Sequence, residues 1–249
     1  MAAQRVDTRG AGPAPARECA YQVLRRVFER GAYADEAIQS GARGLDARDR
    51  ALATRLLFGT VQMRATLDHF VERFSERPPA RLDPALLAAL RLGLYELLYL
   101  SGAPARAVVA DSVQLAKENA PRGHGLVNAV LRRALREGGP ALLAELADED
   151  AAAAALMHSQ QPWVAEMFWE QLGADQARAL MAACNEPGER ALRANTLVAD
   201  VEQIAAALPV PFHRDPELPE ALVLERGLDL RSSELWTRGA LQAQSRGSM

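Results

Sequence analysis

The stretch of residues 90–133 constrains the fold of this chain more than any other part of the sequence. It reads LRLGLYELLYL, passes through Pro104 to AVVADSVQLAKE, and continues into GLVNAVLRRALRE. Each of these pieces repeats apolar residues at the spacing of one helix face, and Gly or Pro separates them. Because the last piece contains Asn128 and an arginine cluster, the stretch predicts a packed helical domain with one basic, amide-bearing surface.

Local signals before this stretch predict further helices. An apolar face that ends at Phe28 predicts a first helix, and Gly31 follows it as an expected C-cap. Asp46 is the expected N-cap of a longer helix, and Asp83 followed by Pro is a typical helix start. The helix that begins there carries a broad leucine stripe, so we expect it to be central and mostly buried.

The pattern changes towards the end of the chain. Residues 141–185 keep short helical patterns and predict a helical linker. Residues 191–196 and 221–224 have strand-like patterns, and a helical pattern at residues 201–208 lies between them. We therefore predict a mainly α chain, an all-helical bundle followed by linker helices and a small, incomplete α+β (RRM-like) module at 186–249.

Composition restricts the class of protein. Hydrophobic residues make up 49% and charged residues 24%, as in ordinary globular proteins, and no apolar run has the length of a membrane span. Residues 1–16 are rich in Ala, Gly and Pro and predict a disordered lead rather than a signal peptide. Cys19 and Cys184 are far apart and belong to no CxxC pair, so we expect reduced thiols and a cytoplasmic location.

The formal net charge of −3 conceals an asymmetry along the chain. Residues 1–140 contain 21 Lys and Arg against 15 Asp and Glu, whereas residues 141–249 contain 8 against 17. A basic half of this kind can bind a polyanion, since arginines that neutralise phosphates release counterions. The alternative interpretation is that these arginines only solvate helix surfaces.

The arginine cluster after Asn128 is the most specific polar feature of the basic half. Asn128 and Arg132 are four residues apart and share a helix face, where an amide and a guanidinium can contact base edges and phosphates together. The alternative is a solvated last turn whose arginines face the helix dipole. For Asp49 and Arg50 the simplest interpretation is an exposed ion pair at a helix start.

Several motifs in the first 137 residues resemble the NusB family. They are R-x-x-A-x-x-V-L from Arg17, D-R-A-x-x-x-x-L-x-x-G-x-V from Asp49, G-L-Y-E-L-L-Y from Gly93, Pro104, and V-N-A-V-L-R-R from Val127. The resemblance implies a helical bundle at 17–140 that binds RNA through its arginine-bearing first helix and the adjacent surface. The candidate RNA-binding residues are Arg17, Arg25, Arg26, Arg50, Asn128, Arg132 and Arg133.

The remaining residues resemble the segment after the NusB-like domain in rRNA cytosine-C5 methyltransferases of the RsmB (Sun/Fmu) type. The matching pieces are His158-Ser159-Gln160 with Pro162-Trp163, Asn185 with Pro187, Leu192-Arg193 with Asn195, and G-A-L-Q-A-Q-S-R-G-S from Gly239. The resemblance implies that a methyltransferase domain binding S-adenosylmethionine follows residues 186–249. Arg193 and Asn195 are a second candidate set for RNA binding.

The catalytic motifs of that family are absent from these 249 residues. The family has a Gly-rich cofactor loop and two cysteine motifs, because a thiolate must add to cytosine C6 before C5 can accept a methyl group. Neither Cys19 nor Cys184 matches those motifs, and the four histidines have no metal-ligand spacing. We therefore expect no catalytic, cofactor-binding or metal-binding residue here, and no activity from this chain alone.

These observations favour one function and leave two alternatives. The favoured function is RNA binding. In this interpretation the chain binds small-subunit rRNA so that a catalytic domain, in the same or another chain, can reach its cytosine. One alternative is a NusB-like transcription antitermination factor with a C-terminal extension. The other is a helical protein-interaction module that does not bind RNA, and none of the three involves a membrane or a metal.

Overall fold

A computed structural model describes residues 13–230 and 233–249. Residues 1–12 of the predicted disordered lead lie outside the described residues, and the first helix already includes Pro15 and Ala16. The chain divides into two compact units, with the boundary between Asn185 and Glu186. Each unit has a hydrophobic core of its own.

The first unit is entirely helical within its described residues. Seven of its helices form the main bundle: α1 Pro15–Arg30, α2 Ala34–Gly41, α3 Ala47–Gln62, α4 Arg64–Ser75, α5 Pro84–Tyr99, α6 Ala105–Asn119 and α7 His124–Arg136. Short 3-10 helices follow α4 at Pro79–Arg81 and α7 at Gly139–Glu145. The predicted mainly α fold is confirmed.

Capping residues begin and end these helices where the sequence predicted. Gly31 adopts the left-handed conformation, with φ of 67°, at the end of α1. The Asp46 carboxylate accepts a hydrogen bond from the Asp49 N–H at 2.8 Å, and the Asp83 carboxylate accepts one from the Ala85 N–H at 2.8 Å. Each carboxylate satisfies an N–H that the first helical turn leaves without a partner.

Helix α5 is the centre of the bundle, as its leucine stripe predicted. Its residues from Leu90 to Leu98 are all buried, and α1, α3, α4, α6 and α7 pack around it. Gly59 of α3 lies so close to the Tyr95 ring that a Cβ atom there would be 1.9 Å from a ring carbon. A side chain at this point would have to displace the end of the Tyr95 ring where α3 crosses α5, which explains the glycine.

The linker helices pack against the bundle through polar side chains. They are α8 Ala151–Met157, α9 Pro162–Leu172 and α10 Ala174–Asn185. The Ser159 hydroxyl accepts a hydrogen bond from the Ala65 N–H at 2.9 Å, and the Asn185 amide donates one to the His158 carbonyl at 2.8 Å. Ser159 therefore holds the linker at the start of α4, and Asn185, whose amide oxygen accepts from the Gln62 side chain at 3.1 Å, joins the end of α10 to the turn after α8 and to the end of α3. These contacts give the two motif residues a structural role.

Within its described residues, the second unit is a four-stranded antiparallel sheet with two short α-helices and a final 3-10 helix at Arg246–Ser248. Its elements are β1 Arg190–Ala194, α11 Val201–Ala206, β2 Phe212–Arg214, β3 Ala221–Leu224, α12 Glu234–Thr237 and β4 Leu241–Ala243. The strand order is β2-β3-β1-β4, and Leu192 of β1 pairs with Leu222 of β3. This βαββαβ order is the split βαβ arrangement and confirms the predicted α+β module. The strand pattern of residues 191–196 and 221–224 predicted β1 and β3, but not the edge strands β2 and β4.

Candidate nucleic-acid interface

A groove between α6 and α7 brings together polar residues from both helices. It has a volume of about 830 Å³ and is lined by Arg106, Val109, Ala110, Val113, Asn128, Arg132, Leu135 and Arg136. Helix α6 supplies one arginine and most of the apolar floor, and α7 supplies two arginines and an amide. The basic, amide-bearing surface expected from the α7 sequence is thus one wall of a groove.

Among the described residues, the guanidinium groups of this groove have no acidic partners. None of Arg106, Arg132 and Arg136 forms an ion pair with a carboxylate of the described residues. The Arg132 side chain donates to the Asn128 amide oxygen at 2.9 Å, as the four-residue spacing predicted. Within residues 13–230 and 233–249, the Asn128 amide nitrogen has no acceptor. Unneutralised positive charge and free donors thus line one exposed groove.

Arg133 occupies a different environment from its neighbour Arg132. Its guanidinium donates to Glu137 at 2.8 Å and to Glu76 at 3.1 Å, and it lies over the Phe74 ring. The hydrogen bond from Arg133 lowers the pKa of the Glu137 carboxyl. Two carboxylates therefore already neutralise this arginine.

Arg17 is largely buried and has a structural role. Its guanidinium forms a two-bonded ion pair with Glu96 of α5 and a hydrogen bond with Asp111 of α6 at 2.9 Å. The side chains of Arg17 and Glu96 are only 12% and 2% exposed. The hydrogen bond to Glu96 raises the pKa of Arg17, so its charge is permanent and is used to join three helices.

The other predicted arginines of the helical unit differ in whether a carboxylate of the protein already neutralises them. Arg25 pairs with Glu29 at 2.5 Å and also donates to the Asn119 amide oxygen at 3.2 Å. Arg26 is exposed and donates to the Ser40 hydroxyl at 3.1 Å. Arg50 is exposed and donates to a backbone carbonyl, not to Asp49. Arg26 and Arg50 therefore keep an unneutralised charge at the surface.

In the second unit both predicted residues make contacts within that unit. Arg193 lies 3.7 Å from a Glu220 carboxylate oxygen. The Asn195 amide donates to the Gly239 carbonyl at 2.9 Å, and its oxygen accepts from the Leu197 N–H at 3.2 Å. Asn195 thus joins the end of β1 to the loop before β4, and neither of its amide atoms is left free.

Sequence reasoning missed Arg106 and did not select Arg136. Arg136 had a local signal, since it is four residues after Arg132 on the same face of α7. Arg106 had none, because it reaches the groove only through the packing of α6 against α7.

The described residues do not fit the cofactor that the family resemblance implies. An S-adenosylmethionine site of the nucleotide-binding type needs a Gly-rich turn at the end of a parallel strand. Every strand pair here is antiparallel, and the connection of residues 195–200 between β1 and α11 contains no glycine. Within residues 13–230 and 233–249, no cluster of three His, Cys, Asp or Glu side chains could hold a metal ion.

Among the described residues, every helix is either too short or too polar to cross a bilayer.

Comparison with known proteins identifies relatives over most of the chain. Residues 14–136 match the NusB family. A probable ribosomal RNA small subunit methyltransferase B of Synechocystis is 33% identical over 78% of this chain and 44% of the relative. A putative methyltransferase of Mycobacterium tuberculosis is 34% identical over 86% of this chain and 48% of the relative. The chain spans about half the length of the curated relatives it matches.

A solved structure shares the fold. The crystal structure of PH0851 matches with a TM-score of 0.70 and 17% identity, over 95% of this chain and 54% of that one. At this identity the match concerns the fold alone. Residues 14–136 are therefore a NusB-family domain, in a chain that is homologous over most of its length to ribosomal RNA small subunit methyltransferases of the RsmB type.

Proposed function

We propose that this chain binds small-subunit rRNA and positions it for an RsmB-type cytosine methyltransferase. The observation that carries the proposal is the α6–α7 groove, where Arg106, Arg132 and Arg136 have no acidic partner in the described structure. Arginines without carboxylate partners are free to neutralise phosphates, and the release of counterions then supplies most of the affinity. Arg26 on α1 and Arg50 on α3 carry further exposed positive charge on the helical unit.

The relatives support this assignment by what their names state. They are called ribosomal RNA small subunit methyltransferases, and the similarity extends beyond the NusB-family domain. A NusB-like antitermination factor with an unrelated extension does not account for similarity over 78% of the chain. We assign no catalytic residue in this chain.

The groove residues have separate roles in the proposed complex. The three arginines bind backbone phosphates, which fix the position of the RNA without reading its sequence. The free amide nitrogen of Asn128 donates to a base or a sugar. The Asn128 oxygen orients Arg132 through their 2.9 Å hydrogen bond, so it stabilises the protein side of the interface.

The test is charge reversal of the groove. We expect Arg106→Glu, Arg132→Glu and Arg136→Glu together to weaken binding to a small-subunit rRNA hairpin by roughly a hundredfold at low salt. Three lost phosphate contacts should also reduce the slope of log affinity against log salt by about 2. Fluorescence anisotropy over a salt series measures both quantities. The matched control reverses Arg190, Arg226 and Arg238, three arginines that are exposed in the second unit, and we expect little change.

Two results would contradict the proposal. One is unchanged RNA affinity and salt slope in the triple variant, which would move the interface away from the groove. The other is no RNA binding by the unaltered chain together with salt-independent binding of a protein partner. The second result would support the helical protein-interaction module instead.

A further inference from the structure

The α6–α7 groove has an apolar floor as well as a basic rim. Val109 is buried at 6% exposure, Val113 and Leu135 are half-buried, and Ala110 is exposed between them. Hydrated phosphates gain nothing from apolar walls, so binding to the RNA backbone alone does not explain this floor. A ligand that complements both parts of the groove must combine an anion with an apolar surface.

From this combination we infer that the groove receives one unpaired nucleotide of the bound RNA. The base lies on the floor of Val109, Val113 and Leu135, and its flanking phosphates contact the arginines. The volume of about 830 Å³ is within the range of small-molecule sites, which is roughly 300–1,000 Å³. The inference rests on the proposed RNA-binding function and specifies the form of RNA that the site takes.

The polar groups of the rim define the chemistry of the ligand. Guanidinium groups only donate hydrogen bonds, and the Asn128 oxygen is already occupied by Arg132. The remaining rim groups are therefore all donors, and the groove selects a ligand rich in acceptors. A base with exposed carbonyl oxygens, such as uracil, fits this requirement, whereas an exocyclic amino group would find no acceptor in the rim.

The shape of the groove favours single-stranded over double-stranded RNA. In an RNA duplex the bases are stacked and paired, and only their edges and the backbone are accessible. A floor recessed between two helices can contact the face of a base only when that base has left the stack. The second class of partner with this charge, an acidic peptide, has flexible carboxylates and no need for a recess that accepts a flat ring.

The test fills the floor and leaves every arginine in place. Ala110→Trp introduces a large side chain at an exposed helical position that lines the groove. We expect it to weaken binding of fluorescein-labelled oligouridylate by about tenfold. Binding of the oligouridylate–oligoadenylate duplex, and the salt slope, should change by no more than about twofold because the phosphate contacts remain.

Ala129→Trp is the matched control, since Ala129 is exposed on α7 but does not line the groove. We expect its affinities for both RNAs to equal those of the unaltered chain, and far-UV circular dichroism checks that both variants fold. Equal affinity of Ala110→Trp and Ala129→Trp for oligouridylate overturns the inference. Parallel losses for oligouridylate and duplex also overturn it, since they indicate a surface that binds only the backbone.

The outcomes separate this inference from the proposed function. If charge reversal abolishes RNA binding but Ala110→Trp has no effect, the proposed rRNA-binding function stands and only the nucleotide site is ruled out. Absence of RNA binding by the unaltered chain overturns both proposals. Displacement of oligouridylate by an acidic helical peptide of equal charge, with tighter peptide binding, assigns the groove to a protein partner and overturns the inference.

Discussion

The two arginines at positions 132 and 133 are adjacent in sequence but lie in different environments. Arg132 lines the α6–α7 groove without an acidic partner in the described structure, whereas Arg133 contacts two glutamates and the Phe74 ring. One step along a helix turns a side chain by about 100°, so neighbours face different parts of the protein. Charge alone therefore does not identify a binding arginine, because the carboxylates within its reach decide whether it is available.

Among these arginines, Arg17 differs most from the groove arginines in its environment. It belongs to the basic half and to a motif that resembles an RNA-binding family, yet it is buried against Glu96 and Asp111. The groove arginines and Arg17 thus divide one residue type into a proposed binding set and a stabilising set. Substitutions of Arg17 and of the pair Arg132 and Arg133 test this division, and two buried tyrosines extend the comparison to neutral polar groups.

Removal of Arg17 should destabilise the fold without weakening RNA binding. Arg17→Met leaves the buried Glu96 carboxylate without a partner, and we expect the free energy of unfolding to fall by about 3 kcal/mol. The double variant Arg17→Met with Glu96→Met should recover much of that loss, since no unpaired charge remains. Chemical denaturation measures stability. Lower RNA affinity of folded Arg17→Met with unchanged stability would place Arg17 in the binding set.

Tyr99 tests a buried polar group that is poorly satisfied. Among the described residues its hydroxyl has no hydrogen bond of good geometry; burial raises its pKa from 10.0 to about 12, and the nearby Thr66 hydroxyl opposes that rise. Because the folded pKa is the higher one, this contribution to stability is complete below pH 10 and is lost as pH rises towards 12. Tyr99→Phe should leave the free energy of unfolding unchanged at pH 7. At high pH the unaltered chain should lose stability on the order of 2 kcal/mol through this tyrosine, and the variant should not.

Tyr21 provides the control for this titration. Burial also raises its pKa to about 12, but its hydroxyl donates to the Ala85 carbonyl at 3.2 Å. Tyr21→Phe should therefore cost about 1 kcal/mol at neutral pH, where Tyr99→Phe costs nothing. Denaturation midpoints over a pH series measure both. Equal costs at neutral pH would indicate that the Tyr99 hydroxyl has a partner after all.

The smallest expected effect comes from the adjacent pair itself. Arg132→Gln should weaken oligouridylate binding by roughly fivefold and lower the salt slope by about 0.7, as expected for one phosphate contact. Arg133→Gln should leave both unchanged and slightly lower the denaturation midpoint, because it breaks contacts with Glu76 and Glu137. Equal effects of the two changes on RNA binding would refute the division between binding and stabilising arginines.

Local signals in the sequence were enough to predict the helices and part of the site. Caps such as Asp46 and Asp83, and the pairing of Asn128 with Arg132, depend on residues two to four positions apart. Strands β2 and β4 have three residues each, which is too short for an alternating pattern to stand out. They are paired only because β3 and β1 lie beside them in the sheet.

Local patterns along the chain were sufficient to predict the helical bundle, the change to an α+β module, the charge asymmetry and the family resemblance. The availability of each arginine depends instead on how the helices pack, because the partners are distant along the chain. Arg17 meets Glu96 and Asp111 across 79 and 94 positions, and Arg106 reaches the groove only when α6 packs on α7. Helix formation depends on neighbouring residues, whereas ion pairing and groove formation depend on which helix faces meet.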